Sequence, residues 1–180
     1  SNQEIIKLSK LAKDLGLIFF STPLDLDSSK FLNEIQSIFK ISSGDNNFFP
    51  LIDQIYEFKK PTIISTGLAD FNLLDKLYKK WFNENPNLPL AFLHCVSSYP
   101  VDISEANITR INKLQDAFPK AIIGYSDHTI GIDCACLAAS QGAKIIEKHF
   151  TLDNNFSDFR DHKLSCNPLD LRKLVKKIRK

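Results

Sequence analysis

The chain has 180 residues, 43% of them hydrophobic and 24% charged, with a formal net charge of +2. That is ordinary globular composition with room for a sizeable core. Positive and negative residues are interspersed, which argues against a nucleic-acid partner, and no apolar run has the length of a membrane span. The basic cluster from Arg172 to Lys180 reads as the solvated end of a terminal helix. The four cysteines, Cys95, Cys134, Cys136 and Cys166, include no CxxC pair, and reduced thiols in a cytoplasm fit them best. Cys95 and Cys134 lie in apolar stretches and are expected as small buried hydrophobes.

Helical spacing of Ile5, Ile6, Leu8, Leu11 and Ala12 predicts a helix over 3–14, closed by Gly16. The apolar run 17–20 predicts a buried strand tipped by Ser21, Thr22 and Pro23. Asp27, Ser28 and Ser29 offer caps for a helix over 31–39. A strand at 39–41 ends at Ser42, Ser43, Gly44 and Asp45, and a helix over 48–58 is stopped by Pro61. The strand 62–64 is tipped by Ser65, Thr66 and Gly67, and an amphipathic helix spans 69–82. The strand 90–93 leads into His94, Cys95, Ser97, Tyr99 and Pro100. A helix over 104–118 follows, with Ser104 as its cap. The strand 121–123, an Ala-rich helix over 130–141, the strand 144–146, a polar loop over 153–165 and a helix begun by Pro168 complete the chain.

This order is a helix followed by six strand–helix units, which predicts an α/β fold with a parallel sheet and right-handed crossovers, in a single domain over 1–180. An open doubly wound sheet and a partial (β/α)8 TIM barrel both fit. A doubly wound sheet concentrates function at one switch point after a Gly-rich turn, and no GxGxxG is present. Thr22, Ser43, Ser65, Ser97, Ser126 and His149 instead put a polar group at every strand tip, which is the barrel habit.

The chemistry concentrates in Gly124-Tyr125-Ser126-Asp127-His128-Thr129 and Glu147-Lys148-His149-Phe150, which end consecutive strands. His128 and His149 are candidate ligands for one divalent ion such as Mn2+, with open positions for water and substrate oxygens. The plainer reading is two loop imidazoles bonded to backbone. Thr22, Ser43, Ser65, Thr66 and Ser126, with Lys40, have the hydroxyls and ammonium that suit a phosphate or carboxylate; ordinary turn chemistry explains any one hydroxyl equally well. Lys40 among apolar neighbours is harder to explain that way. Tyr99, Glu147 and Asp161 are candidates for holding a polyol or moving a proton. Glu147 and His149 share a strand face, so Glu147 can alternatively orient a histidine.

Phe39-Lys40-Ile41-Ser42-Ser43-Gly44-Asp45, Ile64-Ser65-Thr66-Gly67, Leu93-His94-Cys95 with Tyr99-Pro100, the two histidine motifs, and Asp161-His162-Lys163 occur in an order and spacing that resembles the sialic acid synthase family. The resemblance runs from about Leu17 to the C-terminus. It implies a TIM barrel, usually followed by an antifreeze-like domain. It also implies condensation of phosphoenolpyruvate with N-acetylmannosamine or a related 2-acetamido sugar to a nonulosonic acid and phosphate. By resemblance, His128 and His149 hold the metal, most often Mn2+, with Mg2+ or Co2+ as alternatives. Thr22, Lys40, Ser43, Ser65, Ser97 and Ser126 bind phosphoenolpyruvate, and Tyr99, Glu147 and Asp161 address the sugar.

Against that family, two N-terminal barrel strands and the antifreeze-like domain have no counterpart here. Ser157-Asp158-Phe159-Arg160 also replaces a common Gly-Pro form. The expectation is therefore a cytoplasmic synthase in fragment form, homo-oligomeric or completed by the missing strands, with no nucleic-acid or membrane partner. A legionaminate- or pseudaminate-type synthase is the nearest alternative, and an inactive remnant that binds metal or a partner is the other.

Overall fold

The computed structural model describes residues 1–179; Lys180, the last residue of the basic cluster, lies outside the described residues. In chain order the elements are α1 (Asn2–Asp14), α2 (Leu26–Ile35), β1 (Phe39–Ile41), α3 (Phe49–Glu57), β2 (Thr62–Ser65), α4 (Phe71–Glu84), β3 (Leu90–His94), α5 (Arg110–Ala117), β4 (Ile122–Asp127), α6 (Asp133–Ser140), β5 (Ile146–Lys148), α7 (Arg160–Leu164) and α8 (Pro168–Ile178). Short 3-10 turns occupy Ser43–Asp45 and Ile103–Glu105. The chain divides into two compact units, 1–64 with 69–90, and 65–68 with 91–180. Among the described residues no helix is long and apolar enough to cross a membrane.

In the first unit, β1 and β2 pair in parallel, with Phe39 opposite Thr62 and Ile41 opposite Ile64. Parallel strands covered by helices need apolar residues on both faces. Phe39, Ile41 and Ile64 are buried with Leu51, Ile52, Ile55, Leu74, Leu77 and Trp81 from α3 and α4. Tyr56 meets Trp81 edge-on with ring centroids 5.1 Å apart, a favoured aromatic geometry. The predicted Gly16 stop is present. Gly16 adopts φ +72°, its N–H reaches Lys13 O at 3.0 Å, and the Leu17 N–H reaches Ala12 O at 2.8 Å. These two bonds satisfy carbonyls that the end of α1 would otherwise leave open.

Among the described residues five strands form, where the sequence predicts six. The missing one is 17–20: its backbone enters no strand ladder, and Leu17 and Ile18 are exposed. The next residue, Ser21, trades both backbone bonds with one side chain. Its N–H donates to Gln36 Oε1 at 2.8 Å, and Gln36 Nε2 donates to its carbonyl at 3.1 Å. An apolar run alone does not make a strand, because the ladder needs a neighbouring backbone. The helix expected over 31–39 instead starts at Leu26, capped by Asp25, whose carboxylate accepts from the Ser28 N–H at 2.7 Å.

In the second unit, β3, β4 and β5 pair in parallel in that order, with Leu93 opposite Gly124 and Ser126 opposite Glu147. Phe92 on β3 packs edge-on against Phe118 at 5.3 Å, and Ile111 and Leu114 of α5 are buried. Gly124 is required by close approach. A Cβ there would lie 2.5 Å from Leu93 Cδ2 and 2.6 Å from the Ile145 carbonyl oxygen.

The helix expected over 104–118 is broken: Asn107 takes φ +49°, and α5 begins only at Arg110. The cap expected at Ser104 is Asp102, which accepts from the Ser104 N–H. The last strand lies two residues later than predicted, at Ile146–Lys148, so Glu147 falls inside it. The polar loop contains the short helix α7, and Pro168 opens α8 behind an Asn167 cap. Cys95 and Cys134 are buried, as expected.

Candidate active site

The C-terminal ends of β3, β4 and β5 gather most of the predicted chemistry inside the second unit. His128 follows directly on β4 and His149 on β5. Their rings stand edge to face with centroids 5.4 Å apart. The Tyr99 ring, from the loop after β3, lies 4.2 Å from the His128 ring and 5.9 Å from that of His149.

Each imidazole has its Nδ1 turned to a partner other than the second ring. His128 Nδ1 lies 2.8 Å from the Val96 carbonyl oxygen, which accepts its proton and leaves Nε2 as the lone-pair donor. His149 Nδ1 lies 3.7 Å from Asp161 Oδ2, placing a carboxylate behind the ring in the manner typical of a metal-binding histidine. Burial pushes the His128 pKa below its ordinary value; the bond to Val96 works against that shift and the charge of His149 adds to it. The ring is therefore neutral near pH 7, the form a cation needs.

Two imidazoles suit a divalent transition ion. Among the described residues no group of three or more His, Cys, Asp or Glu is placed to hold a metal ion, so an ion here would rest on the two imidazoles. A bound ion would then keep positions for water and substrate oxygens, as catalytic rather than structural sites do. The residues present fit the ion that the resemblance implies.

Glu147 faces the same space. Its Oε1 accepts from Ser126 Oγ at 2.6 Å, so a hydroxyl on the neighbouring strand holds one carboxylate oxygen. Ser126 is buried, and Ser97 is exposed in the loop after β3. Ser65 and Thr66 close β2; both are buried, and the Thr66 hydroxyl has no hydrogen-bond partner among the described residues. Burial raises the Tyr99 phenol pKa, with the nearby Cys95 and Asp161 adding to it, so the phenol keeps its proton at neutral pH.

In the first unit, Lys40 is the half-buried centre of β1 and Ser43 opens the 3-10 turn that follows. Thr22 is half-buried in the extended segment before α2.

Some participants escape the sequence reading. Arg160, at the start of α7, lays its guanidinium 4.8 Å from the Tyr99 ring centroid, with Nε 3.8 Å from Asp161 Oδ1. Its place beside Asp161 was the available clue. Lys148 and Asp127 form a buried ion pair at 2.9 Å, with side chains 3% and 0% exposed. Strand alternation alone puts Lys148 on the face opposite Glu147 and His149. The Val96 carbonyl has no side-chain signature at all.

The NeuB family profile matches residues 1–180. Over 170 residues the chain is 41% identical to the N,N'-diacetyllegionaminic acid synthase of Campylobacter jejuni, covering 93% of this chain and 50% of that protein. It is 34% identical over 180 residues to the mouse N-acetylneuraminate-9-phosphate synthase, covering 99% and 49%. The crystal structure of the N-acetylneuraminic acid (sialic acid) synthetase of Leptospira borgpetersenii in complex with citrate superposes with a TM-score of 0.93 at 33% identity, covering 99% of this chain and 62% of that one. The chain thus spans about half the length of the curated relatives it matches. Match along the full 180 residues, strand order and histidine motifs agree: the chain belongs to the NeuB family.

Proposed function

We propose that this chain carries the metal- and sugar-binding part of a phosphoenolpyruvate-dependent synthase that makes a nonulosonic acid from a 2-acetamido sugar. The observation that carries the reading is the His128–His149 pair, 5.4 Å between ring centroids, with the Nδ1 of His128 tied to Val96 and that of His149 backed by Asp161. A bound divalent ion, Mn2+ by preference, supplies Lewis acidity toward the sugar aldehyde.

The chain's own groups do the rest. His128 and His149 would hold the ion. Asp161 orients the His149 ring. Tyr99 walls the site and, keeping its proton, donates a hydrogen bond to a sugar oxygen. Glu147, its carboxylate already steered by Ser126, holds a sugar hydroxyl or receives a proton from it. Carbon 3 of phosphoenolpyruvate bonds to the aldehyde carbon, whose oxygen takes up a proton. Water adds at carbon 2, and the carbon–oxygen bond to phosphate breaks to leave the keto acid. Ser65, Ser97 and Ser126 in the second unit, and Thr22, Lys40 and Ser43 in the first, are the groups assigned to phosphoenolpyruvate, on the family resemblance and on their chemistry.

The relatives' names include N-acetylneuraminate-9-phosphate, N,N'-diacetyllegionaminic acid and pseudaminic acid synthases. The acceptor is therefore tested as a panel. Mass spectrometry of products from this chain with Mn2+, phosphoenolpyruvate and a series of 2-acetamido sugars should show one nine-carbon acid. No product with any sugar, together with no phosphoenolpyruvate binding, overturns the reading.

A further inference from the structure

The ladder between β4 and β5 pairs Tyr125 with Ile146, Ser126 with Glu147, and Asp127 with Lys148. One residue further along each strand come His128 and His149. The Asp127–Lys148 rung is thus the last before the two imidazoles, and it faces the other way. On one face Ser126 meets Glu147 and the two histidine rings meet each other. On the other, the Lys148 ammonium sits 2.9 Å from Asp127 Oδ2 and also donates to the Thr129 carbonyl. Asp127 Oδ1 collects three further donors: the Thr129 N–H at 2.9 Å, the Thr129 hydroxyl at 2.8 Å and the Tyr125 phenol at 3.2 Å.

Stability is a poor reason for this arrangement. Two charges removed from water recover their desolvation cost only in part, and apolar side chains of the same volume often serve as well. Register is a better reason. A slip of one residue along a strand turns every side chain to the opposite face. Here a slip would put a histidine into the buried back face and a charge into the site. Asp127 can satisfy Lys148 and both Thr129 donors together only in the observed register. The same bonds hold residues 127 and 129, on either side of His128, and residue 148, next to His149.

We infer that the Asp127–Lys148 pair is a positioning device that locks the register of β4 against β5 and so sets how the His128 and His149 rings face each other. Its consequence for cation affinity rests on the metal reading above; its consequence for the rings does not.

The test compares the parent chain with Asp127→Asn/Lys148→Met, which keeps an acceptor for Thr129 and Tyr125 but removes both charges. Three quantities are read: the melting midpoint, Mn2+ affinity by calorimetry, and the 15N resonances of the His128 and His149 imidazoles without metal. The expected result is cooperative unfolding, Mn2+ affinity lowered about ten- to a hundred-fold, as for loss of groups behind metal ligands, and an altered imidazole pattern. An unchanged imidazole pattern overturns the inference in every case, as does unchanged affinity in a parent that binds Mn2+. If the parent binds no Mn2+, the metal reading falls and the imidazole pattern alone decides the positioning role. If the double variant does not unfold cooperatively, Lys148→Arg, which keeps the charge but moves it, is read by the same criteria.

Discussion

Ser126 Oγ donates a 2.6 Å hydrogen bond to Glu147 Oε1 across paired strands. The bond fixes one carboxylate oxygen of Glu147. Removing it with Ser126→Ala should cost about 1 kcal/mol of stability and loosen Glu147. Product formation should fall more than Mn2+ affinity does. Equal loss of both would show that Ser126 acts on the metal centre rather than on Glu147.

His128→Ala removes one of two imidazoles and should reduce Mn2+ affinity by at least about tenfold, because a site with few protein ligands has none to spare. Calorimetry on the variant checks it. Unchanged affinity would place the ion elsewhere.

Lys40→Ala should weaken phosphoenolpyruvate binding while leaving Mn2+ affinity alone. An ammonium bonded to an anionic oxygen contributes about 1.5–3 kcal/mol, so the dissociation constant should rise about ten- to a hundred-fold. Fluorescence titration or calorimetry reads it directly.

Gly124→Ala should destabilise the second unit by about 1–3 kcal/mol, the usual cost of forcing a methyl group into a packed site. The added Cβ meets the Ile145 backbone oxygen at 2.6 Å, and backbone cannot rotate away as a side chain can. Urea unfolding of the variant checks it; a stability equal to the parent's would mean that β4 and β5 part far enough to admit the methyl group.

His94 predicts a pH dependence. Its Nε2 lies 2.9 Å from the Ala106 carbonyl oxygen, and its buried Nδ1 has no partner among the described residues. Burial lowers its pKa below the ordinary 6.5; the Ala106 bond opposes that, and the Arg110 charge reinforces it. The folded chain therefore binds fewer protons than the unfolded one below that pH. The stability it contributes is complete above about pH 6.5 and is lost as pH falls through the unfolded value toward the lowered folded one. Melting midpoints from pH 7.5 down to 5 should decline. His94→Gln, which retains a donor for Ala106, should decline less steeply, the remaining slope including His128, whose pKa is shifted the same way.

Much of this protein was legible in one dimension because its cues are local. The alternation of apolar runs with amphipathic helices, Gly16 as a helix stop, Pro168 as a helix start and polar residues at strand ends all follow from backbone geometry within a few residues. The two histidine motifs followed from composition at strand tips. What local cues could not decide was partnership. Residues 17–20 are as apolar as a true strand, yet their backbone enters no ladder, and Ser21 bonds to the Gln36 side chain instead. Asn107 breaks a helix that periodicity would have continued. The partners of the site are long-range in the same sense. Val96 lies 32 residues before His128 and orients it through a carbonyl that every residue possesses. Lys148 finds Asp127 across 21 residues because two strands meet in one register. Sequence supplied the reactive groups and the strand ends that carry them. Only the pairing of β4 with β5 decided which of them face each other, because strand alternation assigns faces and only register decides what stands opposite.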